Sequence, residues 1–376
     1  MSLTTEDDPE RREEILVVLS CYNETKEELQ HSISTLDRSE PGPSTRLMVF
    51  VDGLQGLEPE AIMAWLHQAR QGNDVENPDS TKHDEGAVAV AEDMEILAAL
   101  VSILPPGKVE VDHGCVCIRG IKEAAVPYPF EIYVKGKECP RSKRASQALC
   151  MSILQADFDA NRPNPRALLL LDGDCRVEPA HVGRMYECMQ EQGLAACGPF
   201  LLTRKSHNLC LLVQLMRDWF SQRLLWLGQS AIRFQLPLNG SCAMYAIETV
   251  RAVQTDFCRG VREDSMLDSM MIEMGEDSFM TNLVHEKYQT GGGIRFLPHC
   301  WATSFMPENW SEYLAQQCRW KRSHMGNRLN MLFNKPNAWL WQPSRWVFWP
   351  IYVASFLWTP FLAPATLTQL GLGFRV

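Results

Sequence analysis

The sequence predicts an α/β fold with a mostly parallel central sheet flanked by helices. Three observations predict it. Apolar runs of strand length alternate with amphipathic stretches of helix length. Two of those runs, RLMVFV and ALLLL, stop at aspartates, Asp52 and the pair Asp172 and Asp174. The chain has 376 residues, 45% of them hydrophobic, enough to bury a sizeable core.

The elements follow in order. EILVVLS (14–20) reads as a buried strand. TKEELQHSISTL (25–36) reads as a helix, because Thr25 and Glu28 have capping-box spacing and Leu29, Ile33 and Leu36 share one face. RLMVFVDG (46–53) is a second strand. Helices are expected at 59–70, with Pro59 in the first turn, and at 87–103. EIYVKG (131–136) is a strand, SKRASQALCMSILQA (142–156) a helix and ALLLLDGD a central strand. PAHVGRMYECMQEQ (179–192) is a helix with Pro179 at its start. In such sheets ligands bind beyond the carboxyl ends of the strands, where Asp52, Asp172 and Asp174 are expected. Asp-Gly is also a common turn pair, so DGD alone reads equally as a surface turn or as a divalent-metal site holding a phosphate.

The net charge of -10 argues against a nucleic-acid partner, which needs a basic face. Acidic residues gather in the polar tail 1–14 and in a loop at 71–86, QGNDVENPDSTKHDEG. The 13 cysteines include no CxxC pair, which suggests reduced, mostly buried thiols in a cytosol-facing domain. The polar N-terminus carries no signal peptide pattern. From Trp346 to Phe374 no residue is charged, and eight of the 11 tryptophans lie between Trp301 and Trp358. A run above about 18 uncharged, largely apolar residues is a transmembrane candidate, and tryptophans favour the membrane interface. Lys321, Arg322, Lys335 and Arg345 precede that run, consistent with a cytosolic side.

Four stretches carry the chemistry: CYNE (21–24), DGD (172–174), GEDSFMTNL (275–283) and QQCRW (316–320). Each alone is weak. In this order they resemble the processive inverting β-glycan synthases of the GT-A fold, the chitin, hyaluronan and cellulose synthases. Local strings look most like chitin synthases: CYNE, SKRASQ (142–147) before the DxD strand, GED followed by TNL, and QxxRW followed by KRS. The resemblance covers 15–330, the expected catalytic domain, with 71–86 as an acidic insertion and 331–376 as an interfacial and transmembrane segment.

The resemblance implies a UDP-sugar donor, UDP-N-acetylglucosamine for a chitin-synthase-like enzyme that adds β-1,4-linked sugar to a growing polysaccharide acceptor at a membrane, the plasma membrane above all, with the catalytic domain in the cytosol. It implies Mg²⁺ or Mn²⁺ as cofactor, because a hard divalent ion neutralises the leaving diphosphate. Asp174 would ligate the ion, with Asp172 on donor or metal. Tyr22 and Glu24 would lie at the nucleoside, with Tyr22 near the base, and Asp52 at the base-binding position. Lys143 and Arg144 match a basic pair that faces the diphosphate. Asp277 would be the general base and Gln316, Arg319 and Trp320 the acceptor end. The near-copy REDS (262–265) offers Asp264 as a rival, read as a structural helix-start carboxylate.

The chain departs from the family in three places. LNGSCAMY (238–245) replaces a proline-glycine-cysteine step, Ser278 stands where an arginine is usual, and the 71–86 loop has no counterpart. Family members continue into several membrane helices after QxxRW. This chain stops after one or two short candidates, so it is expected either to be a fragment or to need another route for its polymer. Membrane lipid is an implied partner, and a homo-oligomer is left open. The rivals are synthesis of another β-glycan, a non-catalytic membrane-bound homologue that binds nucleotide-sugar or a partner subunit, and a soluble binding protein whose tail is core.

Overall fold

The computed structural model describes residues 14–334, apart from 23, 37–42, 53–61, 65, 67–95, 105–107, 114, 121–127, 137–138, 141, 163, 204–207, 232–237, 260–270, 273–274 and 289–292. The strands are β1 (Glu14–Cys21), β2 (Ser44–Val51), β3 (Lys108–Asp112), β4 (Cys115–Gly120), β5 (Phe130–Lys135), β6 (Ala167–Asp172), β7 (Arg176–Val177), β8 (Ala196–Thr203), β9 (Cys242–Ala246) and β10 (Ile294–Ser304). They form one sheet in the order β3-β4-β5-β2-β1-β6-β9-β8-β10-β7. The helices are α1 (Lys26–Ile33), α2 (Lys143–Asp159), α3 (Pro179–Gln192), α4 (Leu209–Phe220), α5 (Ile247–Cys258), α6 (Glu276–Lys287) and α7 (Trp310–Asn334). A π-helical stretch, Ser221–Trp226, continues α4.

The expectation of a mostly parallel sheet needs correction. β5, β2, β1 and β6 are mutually parallel, but β9 lies antiparallel between β6 and β8. The edge pairs β3–β4, β4–β5 and β10–β7 are antiparallel as well. The sheet is therefore mixed around a parallel centre. Its parallel centre keeps the carboxyl ends of β1, β2 and β6 on one edge. The antiparallel pairing of Leu171 with Cys242 brings the start of β9 to that same edge.

Period-two alternation sorts the strand side chains between two cores. Ile15, Val17 and Leu19 of β1 and Leu169 and Leu171 of β6 pack with Leu29 of α1 and Met185 of α3. Leu16, Val18, Leu168 and Leu170 pack on the other face with Met151 of α2, Val250 of α5 and Phe279 of α6. The result is a helix–sheet–helix sandwich with both sheet faces covered.

Local signals account for several boundaries. The capping box at α1 forms: Glu28 N–H donates to Thr25 Oγ1 at 3.3 Å, and Thr25 N–H donates to the Glu28 carboxylate at 2.7 Å. Ser142 caps α2 by accepting from Ala145 N–H at 3.1 Å. Pro179 opens α3, and Gly193 ends it in the left-handed region with φ 58. Of the helices expected at 59–70 and 87–103, helical backbone is described at 62–64, 66 and 96–103. The loop 71–86, Asp264 and the apolar run from Trp346 lie outside the described residues. Among the described residues no helix is long and apolar enough to cross a membrane.

Candidate active site

The DGD segment is both a turn and a convergence point. Cys175 N–H donates to Asp172 C=O at 3.0 Å, which closes the turn, and Gly173 N–H donates to Ser20 C=O at 3.0 Å, which ties it to β1. Glycine is required at 173 by close approach. A Cβ there would come within 2.5 Å of Glu24 Cδ. Glu24, from the loop after β1, thus lies over the turn beside both aspartates. Burial first, then the charges of Asp172 and Asp174, push its carboxyl up to about 7 against hydrogen bonds from backbone N–H groups. Its carboxylate accepts from Tyr22 N–H, while the Tyr22 ring is exposed.

Asp174 is pushed up to about 6, by burial first and then by Asp172, with the Ser304 hydroxyl opposing. Ser304, at the end of β10, donates to Asp174 Oδ2 at 3.1 Å. Asp172 pairs with the Lys143 ammonium at the start of α2. The same Nζ donates to Gly240 C=O at 2.6 Å and lies 3.6 Å from Glu276 Oε1. Burial would lower the Lys143 pKa, but Asp172 and Glu276 outweigh it and hold the ammonium charged.

Asp277 occupies the first turn of α6. Burial, and then Glu276, push its carboxyl up to about 7, against Lys143 and a hydrogen bond from Ser278 N–H at 2.8 Å. Its carboxylate faces Gly240, where a Cβ would lie 2.9 Å from Asp277 Oδ2. Glycine within LNGSCAMY therefore admits Asp277 at this edge of the sheet. Lys143 links the two acidic groups, Asp172 on one side and Glu276 beside Asp277 on the other.

The segment QQCRW lies on α7, which packs against α6. A Cβ at Gly275 would meet Ser323 Oγ at 1.7 Å, and Asn282 Nδ2 donates to Asn327 Oδ1 at 3.0 Å. Tyr313, Gln316, Trp320, Ser323 and Asn327 recur at three- and four-residue spacing, so they share a face of α7. Arg319 is exposed. The Arg217 guanidinium of α4 lies over the Trp320 ring at 5.1 Å. Sequence reasoning missed Arg217, Ser304, Ser323 and Asn327, whose roles come from contacts more than 100 residues or a whole element away.

Two expected site residues lie in different surroundings. Arg144 is buried and donates to Phe257 C=O at 3.0 Å and to Arg259 C=O, at the end of α5. Lys143 and Arg144 thus have separate partners, Asp172 and Glu276 for the one and the end of α5 for the other. Asp52 is 3% exposed, forms an ion pair with Lys135 and accepts from Ser146 Oγ at 3.3 Å. Lys135 is fixed in turn by Pro140 C=O at 2.9 Å and Ser142 C=O at 3.2 Å, which joins the end of β5 to the cap of α2.

Among the described residues no three His, Cys, Asp or Glu side chains form a ready-made metal cage. The donor chemistry still suits Mg²⁺ or Mn²⁺, which take one or two carboxylates and fill the remaining positions with phosphate and water oxygens. Glu24 and Asp174 are raised first by burial and then by neighbouring carboxylates, and a cation would relieve the latter.

No protein-family model matches the chain. It is 23% identical over 362 residues to chitin synthase 4 of Cryptococcus neoformans var. grubii, covering 85% of this chain and 27% of that protein. It is 25% identical over 175 residues to chitin synthase 6 of Verticillium dahliae, covering 43% of this chain and 9% of that one. The chain thus spans about a quarter or less of the length of these curated relatives. Among solved structures, a mannosyltransferase from Pyrobaculum calidifontis, in complex with GDP-Man and Mn²⁺, matches with TM-score 0.51 at 13% identity, covering 98% of this chain and 78% of that one. The chain has a glycosyltransferase fold and a sequence similar to chitin synthases.

Proposed function

We propose that the chain is the catalytic unit of a hexosyltransferase that moves N-acetylglucosamine from UDP-GlcNAc onto a growing β-1,4-linked chain, with inversion. The observation that carries this reading is the Lys143 bridge between Asp172 of the DGD turn and Glu276, the neighbour of Asp277. It gathers the residues of two separate motifs at the carboxyl edge of the parallel strands. Similarity to chitin synthases supports the sugar and the linkage.

Each residue has a role in this reading. Tyr22 and Asp52, at the ends of β1 and β2, flank the nucleoside. Lys143 supplies positive charge toward the diphosphate. Asp174, with Asp172 and Glu24 beside it, would hold Mg²⁺ or Mn²⁺, which when bound adds charge neutralisation to the leaving diphosphate. Asp277 accepts the proton of the acceptor hydroxyl as that oxygen bonds to the anomeric carbon. The bond from the anomeric carbon to the diphosphate oxygen breaks, and its electron pair leaves with UDP. A carboxyl poised near 7 suits a base working at neutral pH. Gln316, Arg319 and Trp320 receive the acceptor end, with the indole as a stacking surface. The uncharged run from Trp346 would attach the chain to the plasma membrane with this site in the cytosol.

The test is a panel of radiolabelled UDP-sugars and GDP-mannose given to the full chain with and without divalent metal. Chitinase-sensitive product from UDP-GlcNAc alone, lost on chelation and restored by Mg²⁺ or Mn²⁺, is expected. Calorimetry should show Mn²⁺-dependent UDP binding that Asp174→Asn weakens. Transfer that ignores chelation would sink the metal assignment, and transfer from another donor the sugar assignment.

A further inference from the structure

We infer that Arg217 and Asp218 form a positioning pair that closes one face of the Trp320 indole, leaving an acceptor sugar the other face. The inference rests on the acceptor role proposed above for Trp320. Arg217 sits in the last turn of α4, and its guanidinium lies 5.1 Å from the Trp320 ring centroid and 5.6 Å from that of Tyr313. Tyr313 and Trp320 are seven residues apart on α7, two turns along one face, so the cation lies against both rings. A guanidinium on an indole face is attractive, and desolvation strengthens the attraction. The side chains of Arg217 and Asp218 are 27% and 16% exposed.

The pair is lopsided. Arg217 Nε donates to Asp218 Oδ1 at 2.8 Å, and Nη2 donates to the same oxygen. Asp218 Oδ2 and Arg217 Nη1 are buried with no hydrogen-bond partner among the described residues. Gln316 Oε1, one turn before Trp320 on the same face of α7, is in the same condition. Of these atoms, Gln316 Oε1 is on α7 with the indole. Leaving a buried polar group unpaired costs stability, and an acceptor hydroxyl that donates to it recovers some of that cost. A sugar ring offers an apolar face for the side of the indole away from the guanidinium. Ser323, the next turn of α7, lies against Gly275, which precedes the turn carrying Asp277. The aromatic platform therefore adjoins the end of the site that holds the base.

The test uses the full chain labelled with 5-fluorotryptophan, with Trp320→Phe assigning the Trp320 fluorine signal. Arg217→Met should shift that signal and raise the KM for an N-acetylglucosamine oligosaccharide acceptor about tenfold, the scale of a desolvated cation–π contact. The KM for UDP-GlcNAc and the rate of donor hydrolysis should stay within about twofold. Arg217→Lys, which keeps the cation, should recover most of the acceptor affinity. Asp218→Asn keeps the shape and should show the same selectivity with a smaller effect, which covers the case of an Arg217 variant that does not fold. An active wild type whose Arg217 and Asp218 variants leave acceptor KM unchanged, or raise donor and acceptor KM alike, overturns this inference alone. A folded wild type that transfers no sugar overturns the transferase reading and this inference with it.

Discussion

The carboxylate of Asp277 lies against the backbone of Gly240, so close that a Cβ at 240 would fall 2.9 Å from Asp277 Oδ2 and 3.1 Å from its Cβ and Cγ. Gly240 also offers its carbonyl to Lys143 at 2.6 Å. One backbone position therefore sets both the carboxylate proposed as base and the ammonium proposed to face the donor.

Gly240→Ala should displace Asp277 while leaving the core intact, because the clash falls on a side chain at the edge of the sheet. Transfer should drop by at least about tenfold, since small misplacements of reacting groups are costly. The melting temperature should change little. Asp277→Asn should drop turnover by about 10²–10⁴-fold with UDP binding preserved, the usual worth of general base catalysis. A Gly240→Ala enzyme with wild-type turnover would show that the contact does not set the position of the base.

The raised proton affinity of Asp277 predicts opposite pH dependences for turnover and stability. Burial first, then Glu276, lifts it to about 7, against about 4 in an unfolded chain. Between those values the folded state holds a proton that the unfolded state lacks. Stability from this group is present at low pH and is lost as pH rises from about 4 through about 7. A base must be ionised, so kcat should rise through the same upper value. Asp277→Asn should remove the acid limb of the kcat profile and flatten the fall of melting temperature over that window. An unchanged acid limb in the variant would assign that limb to another group.

Gly173 and Glu24 should behave as a coupled pair. A Cβ at 173 would meet Glu24 Cδ at 2.5 Å, Oε1 at 2.7 Å and Cγ at 2.8 Å. Gly173→Ala should destabilise by about 1–3 kcal/mol, the range for overpacking. Glu24→Ser should return much of that stability in the double variant, although not the activity, since it removes a carboxylate from the donor site. Additive losses in chemical denaturation would mean that the two residues do not press on each other.

The legible parts of the fold were those with a local cause. Continuous apolar runs mark β1, β2 and β6, and Thr25, Ser142 and Pro179 at the helix starts mark α1, α2 and α3. β9 was not legible as an antiparallel insertion, because strand direction is set by its pairing with β6 and β8 and not by CAMYA itself. β10 was obscured by Pro298 and His299, where its register with β8 shifts between Leu297 and Trp301. Of the candidate site, the position of Asp172 and Asp174 at the end of β6 was legible, because an apolar run stops there. The separate partners of Lys143 and Arg144 were not, because a basic dipeptide on a helix looks like one patch, whereas adjacent helical residues point about 100° apart. Arg217 carried no motif at all, since its contact with Trp320 joins residues on different helices.

Lys143 and Arg144, neighbours in sequence, should therefore separate in experiment. The Arg144 guanidinium is buried, donates to Phe257 C=O and Arg259 C=O at the end of α5, and lies 5.9 Å from the Phe257 ring. Arg144→Met removes the donors and strands those carbonyls, a loss of about 1–3 kcal/mol. The melting temperature should fall, with the KM for donor near normal at a temperature where the variant is folded. Lys143→Met leaves Asp172 and Glu276 without their shared cation and takes positive charge from the donor site. Its donor affinity and turnover should fall by at least about tenfold, and Lys143→Arg should restore only part, because a planar fork does not reproduce a point charge that also donates to Gly240 C=O. Thermal melts and donor titrations on the two variants decide the matter. If Arg144→Met lost donor affinity with its stability intact, the guanidinium would belong with the diphosphate after all, and its placement at the end of α5 would have no bearing on catalysis.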